Sequence, residues 1–206
     1  MNIARCVGCL LVAMSSQVAL RSQRANISSQ VETQVRKVYQ QVVSRPVAGI
    51  PKLERMKSFA PYLSKPLLYR ITQARACGDD WYRLNPHGDI KPPFAWLEFG
   101  LFSGANDRTG PRTFQIEKTE LEKHGIFRVY VKLSGGIPPE EPWIWRVEAI
   151  VVQENGHPVI DDVIFPKDDD NDFDTETRLS EVLTRGCDGS RWVGYSKQSD
   201  DPKQQK

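Results

Sequence analysis

The chain has 206 residues, 39% of them hydrophobic, with a formal net charge of +2 and four cysteines. That length and apolar fraction suit one domain with a proper core. Beyond the N-terminus, no segment is long and apolar enough for a membrane helix, and no basic stripe marks a nucleic-acid surface.

The N-terminus reads as an export signal, residues 1–25. Arg5 supplies a short positive start and Cys6 to Met14 ("CVGCLLVAM") an apolar run of signal-peptide length, too short to span a bilayer. Cleavage fits after Ala19 or after Ala25. The cysteines of "CVGC" sit inside that run with no partner ligands nearby, which argues against a redox or metal pair. Removing 1–25 takes away three arginines and no acid, so the formal charge of +2 becomes −1. Cys77 and Cys187 remain. In an oxidising compartment they form one disulfide, and in a reducing one they are two buried thiols.

Next comes "SSQVETQVRKVYQQVVSRP". Val31, Val35, Val38, Tyr39 and Val42 recur at helical spacing, Ser29 with Glu32 fits a capping box, and Pro46 marks the stop. A short helix is predicted at Lys52–Ala60. A third starts at Ser64, with Pro66 in its first turn and Leu67, Leu68 and Ile71 inward, running to about Cys77. From Asn85 to Arg112 the chain is rich in Gly and Pro but holds an aromatic island, Phe94, Trp96, Phe99 and Phe102. Those rings either cover a core or line a cleft.

The periodicity then changes to two. "TFQIEKTELE" and "GIFRVYVKL" flank a turn at Lys123–Gly125, and "PWIWRVEAIVV" and "PVIDDVIF" flank Asn155-Gly156, a strong hairpin signal. A last short helix is expected from about Thr175 to Leu183, and residues 196–206 read as a disordered tail. Helices first and at least four antiparallel strands second make an α+β domain over 26–195.

This order, with Val35, Val38 and Tyr39 on the helix, then Tyr130, Trp145, Asn155-Gly156 and a closing "VIDDVIF", resembles the nuclear transport factor 2-like superfamily. Within it the chain looks most similar to secreted bacterial proteins of unknown function. The resemblance covers roughly Ser29 to Phe165. It implies a cystatin-like cone, in which N-terminal helices pack into the concave face of a curved antiparallel sheet. It does not fix a function, since isomerases, dehydratases, binding modules and immunity proteins share that fold.

In "PVIDDVIF", Asp161 and Asp162 must point to opposite faces of a regular strand. The set Val159, Asp161, Val163, Phe165 has more apolar bulk than Ile160, Asp162, Ile164, so Asp161 is expected inward. An inward carboxylate is either a pocket acid or base, as in superfamily members that use an aspartate for proton transfer, or a structural group satisfied by hydrogen bonds. On the neighbouring strands Phe127, Val129, Val131 and Leu133 form one apolar face, and Trp143, Trp145, Val147, Ala149 and Val151 another. Arg128 and Arg146 lie on the mixed faces.

The remaining signals are thin. His87, His124 and His157 sit in predicted turns without metal-ligand spacing, and no nucleophile elbow or phosphate loop is present. Asp170, Asp172 and Asp174 with Glu181 have the oxygen-ligand spacing of a calcium loop, but Thr175 stands where its sharp turn needs glycine. The alternative is an acidic helix start with Asp174 as N-cap. Trp81, Trp96, Trp143 and Trp145 read as core rather than as a ligand platform.

These readings point first to a secreted or periplasmic, non-catalytic ligand-binding or protein-interaction module. Trp96, Phe99, Arg128 and Arg146 are its candidate binding residues, and no cofactor is called for. Its partner would be a small molecule or a protein, with nucleic acid and, after signal removal, membrane excluded. The second reading is a proton-transfer enzyme using Asp161 or Asp162 with Tyr130 or Tyr39. A cone filled by Trp96 and Phe99 favours the first, and an open cone lined by an aspartate and a tyrosine the second.

Overall fold

The computed structural model describes residues 6–46, 48–87, 90–105, 110–136, 141–167 and 175–195, with side chains from Ala25 onward. Three helices precede the sheet. The first, α1 (Cys6–Ser44), passes through Ser29 without a break, so the predicted capping box does not form. Mid-helix N–H groups are already bonded and have nothing to offer a cap. Glu32 instead accepts a hydrogen bond from Thr119 Oγ1 at 2.9 Å. The stripe of Val31, Val35, Val38 and Tyr39 is fully buried, as its spacing predicts.

Helix α2 (Leu53–Phe59) runs into a 3₁₀ turn at Ala60–Tyr62, and α3 spans Lys65–Leu84. Ser64 caps α3, its Oγ accepting from Leu67 N at 3.1 Å, with Pro66 in the first turn. The helix continues past the predicted stop at Cys77, because Ala74, Cys77 and Trp81 keep the burial stripe going.

Five antiparallel strands follow in the order β1 (Pro111–Leu121), β2 (Phe127–Gly135), β3 (Trp143–Glu154), β4 (His157–Phe165) and β5 (Thr177–Arg178). The β3–β4 turn has Asn155 and Gly156 at φ 53° and 79°, the left-handed pair that such a hairpin requires. The predicted apolar faces of β2 and β3 are buried against the helices, with one exception. Trp143 is 49% exposed, because it begins its strand opposite Gly135, which offers no side chain to pack on.

After β5 come α4 (Leu179–Thr184) and a small hairpin, β6 (Cys187–Asp188) and β7 (Arg191–Trp192). The final helix therefore starts later than Thr175. Its N-cap position is Arg178 rather than Asp174, which lies outside the described residues, as does the tail 196–206. Cys77 in α3 is bonded to Cys187 with their Cα atoms 6.1 Å apart, which fixes the hairpin to the helical layer. Among the described residues, no helix is long and apolar enough to cross a membrane.

Candidate functional site

The two aspartates sit on a β-bulge. Ile150 of β3 pairs with Asp162 and Val151 with Ile160, which leaves Asp161 as the extra residue. A bulge shifts the phase of side-chain alternation. The core face of β4 is therefore Ile160, Val163 and Phe165, which is neither of the two sets that strict alternation allows. Asp161 is only half-buried, and Asp162 is the buried acid. The sequence expectation placed Asp161 inward; the more deeply buried acid is instead Asp162.

Each acid serves the start of a different helix. Asp161 Oδ1 accepts from Ser64 Oγ at 2.5 Å, while that same hydroxyl caps α3 and Ser64 N donates to Ile160 O at 2.8 Å. Asp162 acts directly. Its Oδ1 accepts from Ser180 N at 3.0 Å and its Oδ2 from Ser180 Oγ at 2.7 Å, in the first turn of α4, where Arg178 provides no side-chain cap. Asp162 Oδ1 also takes the Val163 N–H, and the Arg178 guanidinium lies 3.8 Å from Oδ2. Both carboxylates are thus satisfied by orphan donors of helix termini and their caps.

The tyrosines proposed to work with them are engaged elsewhere. Tyr39 is wholly buried and donates to Phe102 O at 3.0 Å, and burial pushes its hydroxyl pKa well above the ordinary value. Tyr130 lies on the other side of the sheet and donates to Glu120 at 2.8 Å. That bond, followed by burial, raises its pKa. Neither hydroxyl faces an aspartate in a shared cavity.

The candidate binding residues also divide. Trp96 and Phe99 are both buried, Trp96 beside α3 and Phe99 against β4. Trp96 stacks on Phe94 with centroids 5.0 Å apart, and Phe99 meets Phe165 edge-on at 5.6 Å. Gly78 permits the close approach, since a Cβ there would stand 3.2 Å from the Trp96 ring. Arg128 and Arg146 occupy the outer face of the sheet, with Arg128 between Glu122 and Glu148 at 2.5 and 2.6 Å and Arg146 on Glu117 at 2.9 Å. The four do not form one site.

Asp170, Asp172 and Asp174 lie outside the described residues, and Glu181 is an exposed residue of α4. Among the described residues, no cluster of three or more His, Cys, Asp or Glu side chains is placed to hold a metal. The three histidines are exposed, although His157 begins β4 rather than lying in the predicted turn.

A concavity of ligand size lies instead on the outside of α3. A groove of about 350 Å³ runs between Pro66, Tyr69, Arg70 and Gln73 of α3 and Leu183 of α4, with Cys187 beyond it. A smaller groove of about 220 Å³, lined by Leu53, Met56 and Leu68 among others, separates α2 from α3. Pro66, Tyr69, Arg70, Gln73 and Cys77 fall on one helical stripe. Sequence reading missed it because only its last member is reliably apolar, so it does not register as a buried face. Compared with known proteins, the chain matches no family model, no curated protein and no solved structure.

Proposed function

We propose that the chain is an exported, non-catalytic ligand-binding or protein-interaction module of the nuclear transport factor 2-like type. The observation that carries this reading is the use of the two strand aspartates. An acid or base for proton transfer needs a substrate within hydrogen-bond reach. Here Asp161 and Asp162 are spent on Ser64 and Ser180. The hydrophobic core beside them is packed with buried side chains, Tyr39 and Phe99 among them. Helices laid on one face of an antiparallel sheet support the superfamily reading, and the Cys77–Cys187 bond supports an oxidising compartment.

The test is carboxyl NMR of Asp161 and Asp162 with and without small apolar probes such as benzene and indole. Unmoved carboxyl resonances are expected. A ligand-dependent shift at either aspartate, together with one at the Trp96 indole, would place an open pocket beside an acid and return the protein to the proton-transfer class.

A further inference from the structure

We propose that the groove between α3 and the α4–β6 segment binds a small apolar carboxylate, with the Arg70 guanidinium as its anion partner. The proposal rests on the module reading and gives it a ligand class.

The argument begins with the stripe on α3. Residues 66, 69, 70, 73 and 77 share one side of the helix, and at residue 77 that side is clamped to Cys187 by the disulfide. Toward the N-terminal end of the same stripe the two walls part, and the groove of about 350 Å³ opens between them. That volume lies at the lower end of the small-molecule range, which suits a compact ligand better than a large cofactor.

Its chemistry is selective. Pro66, the Tyr69 ring and Leu183 supply apolar wall, and Arg70 is the single charged side chain in the lining. Several arginines of the fold are neutralised: Arg83 faces Asp80, Arg128 two glutamates, Arg146 Glu117, and Arg191 Asp188. Among the described residues Arg70 has no ion-pair or hydrogen-bond partner, although it is half-buried. A partly desolvated guanidinium without a counter-charge favours an anion, and its planar fork matches a carboxylate in two parallel hydrogen bonds. Tyr69, 65% exposed at the rim, can lay its ring on the apolar body of the ligand. Gly189 keeps the far wall open, standing beside Gln73 where any larger side chain would crowd the groove.

The experiment is a titration of the ¹⁵N-labelled full chain with 4-phenylbutyrate, the uncharged 4-phenylbutyramide and inorganic phosphate at fixed salt. The acid is expected to bind with a Kd on the order of 1 mM or tighter. It should shift the amides of Arg70, Gln73, Thr184 and Gly189, while the amide and phosphate bind at least tenfold more weakly. Arg70→Gln should weaken the acid at least tenfold with the rest of the spectrum unchanged, Arg70→Lys should retain part of the affinity, and Gln73→Trp should block the groove. Equal binding of acid and amide, equal binding of phosphate, or an undiminished affinity in Arg70→Gln would each overturn the proposal. Silence at every site up to about 10 mM also overturns it and leaves the module reading standing. Shifts at the Trp96 indole and the aspartates with a silent groove would overturn both.

Discussion

Asp162 caps a helix to which it does not belong: its carboxylate takes both the backbone N–H and the hydroxyl of Ser180 in the first turn of α4. Its neighbour Asp161 does the equivalent for α3 at one remove, by orienting Ser64. The bulge makes this possible. Without the extra residue, the strand could not send adjacent carboxylates to two helix starts while keeping Ile160, Val163 and Phe165 in the core.

Asp162→Ala strips a buried carboxylate from several donors at once and leaves them unsatisfied. We expect a loss of about 2–3 kcal/mol, read as a lower urea midpoint at unchanged m-value. Asp161→Ala should cost less than Ser64→Ala, itself worth about 1–2 kcal/mol, because Ser64 can still cap α3 without the aspartate. The reverse order would mean that Asp161 has a function beyond holding Ser64.

The Cys77–Cys187 bond joins residues 110 apart in sequence. Closing so long a loop constrains the unfolded chain strongly, so replacing both cysteines by alanine should cost about 2–5 kcal/mol. Denaturant unfolding of the double variant measures this directly. A change well below 1 kcal/mol would mean that α4 and the hairpin are held in place by noncovalent contacts alone, such as Trp192 on Phe94.

Much of this scaffold is legible in the sequence, and the failures have physical causes. The buried stripe of α1, the start of α3 near Ser64, the β3–β4 turn and the apolar faces of β2 and β3 follow from local periodicity and turn chemistry. The bulge does not, because one added residue in β4 is invisible unless the register against β3 is known. Nor does the cap of α4, since Asp162 is distant in sequence from Ser180, and local reading offers Asp174 instead. The outer groove depends on how α4 and the hairpin lie against α3, which the polar residues of the stripe give no hint of.

Asp80 links pH to the docking of the hairpin. The Arg83 guanidinium, and then the Trp192 N–H at 3.0 Å, hold its carboxyl below the ordinary value. A carboxyl depressed in the folded state adds stability that is complete above the unfolded pKa of about 4. That stability is lost as pH falls through the lower folded value. The Trp192 amide resonance should therefore move on acidification below about pH 4, before global unfolding. In Asp80→Asn that acid-side change should vanish. Its persistence would assign the change to another carboxylate.

Two buried tryptophans give the last comparison. Trp145 Nε1 donates to Ser103 O at 2.7 Å, whereas Trp96 Nε1 is buried with no partner among the described residues. Trp145→Phe loses ring volume and leaves a buried carbonyl short of its donor, so a cost of about 3 kcal/mol is expected. Trp96→Phe loses similar volume but relieves a desolvated N–H and preserves a stacking ring beside Phe94, so about 1 kcal/mol is expected. Thermal unfolding of the two variants ranks them. If Trp96→Phe were the more damaging, its indole N–H would have a partner in the native protein, and a polar group or water beside it in the core would have to be sought.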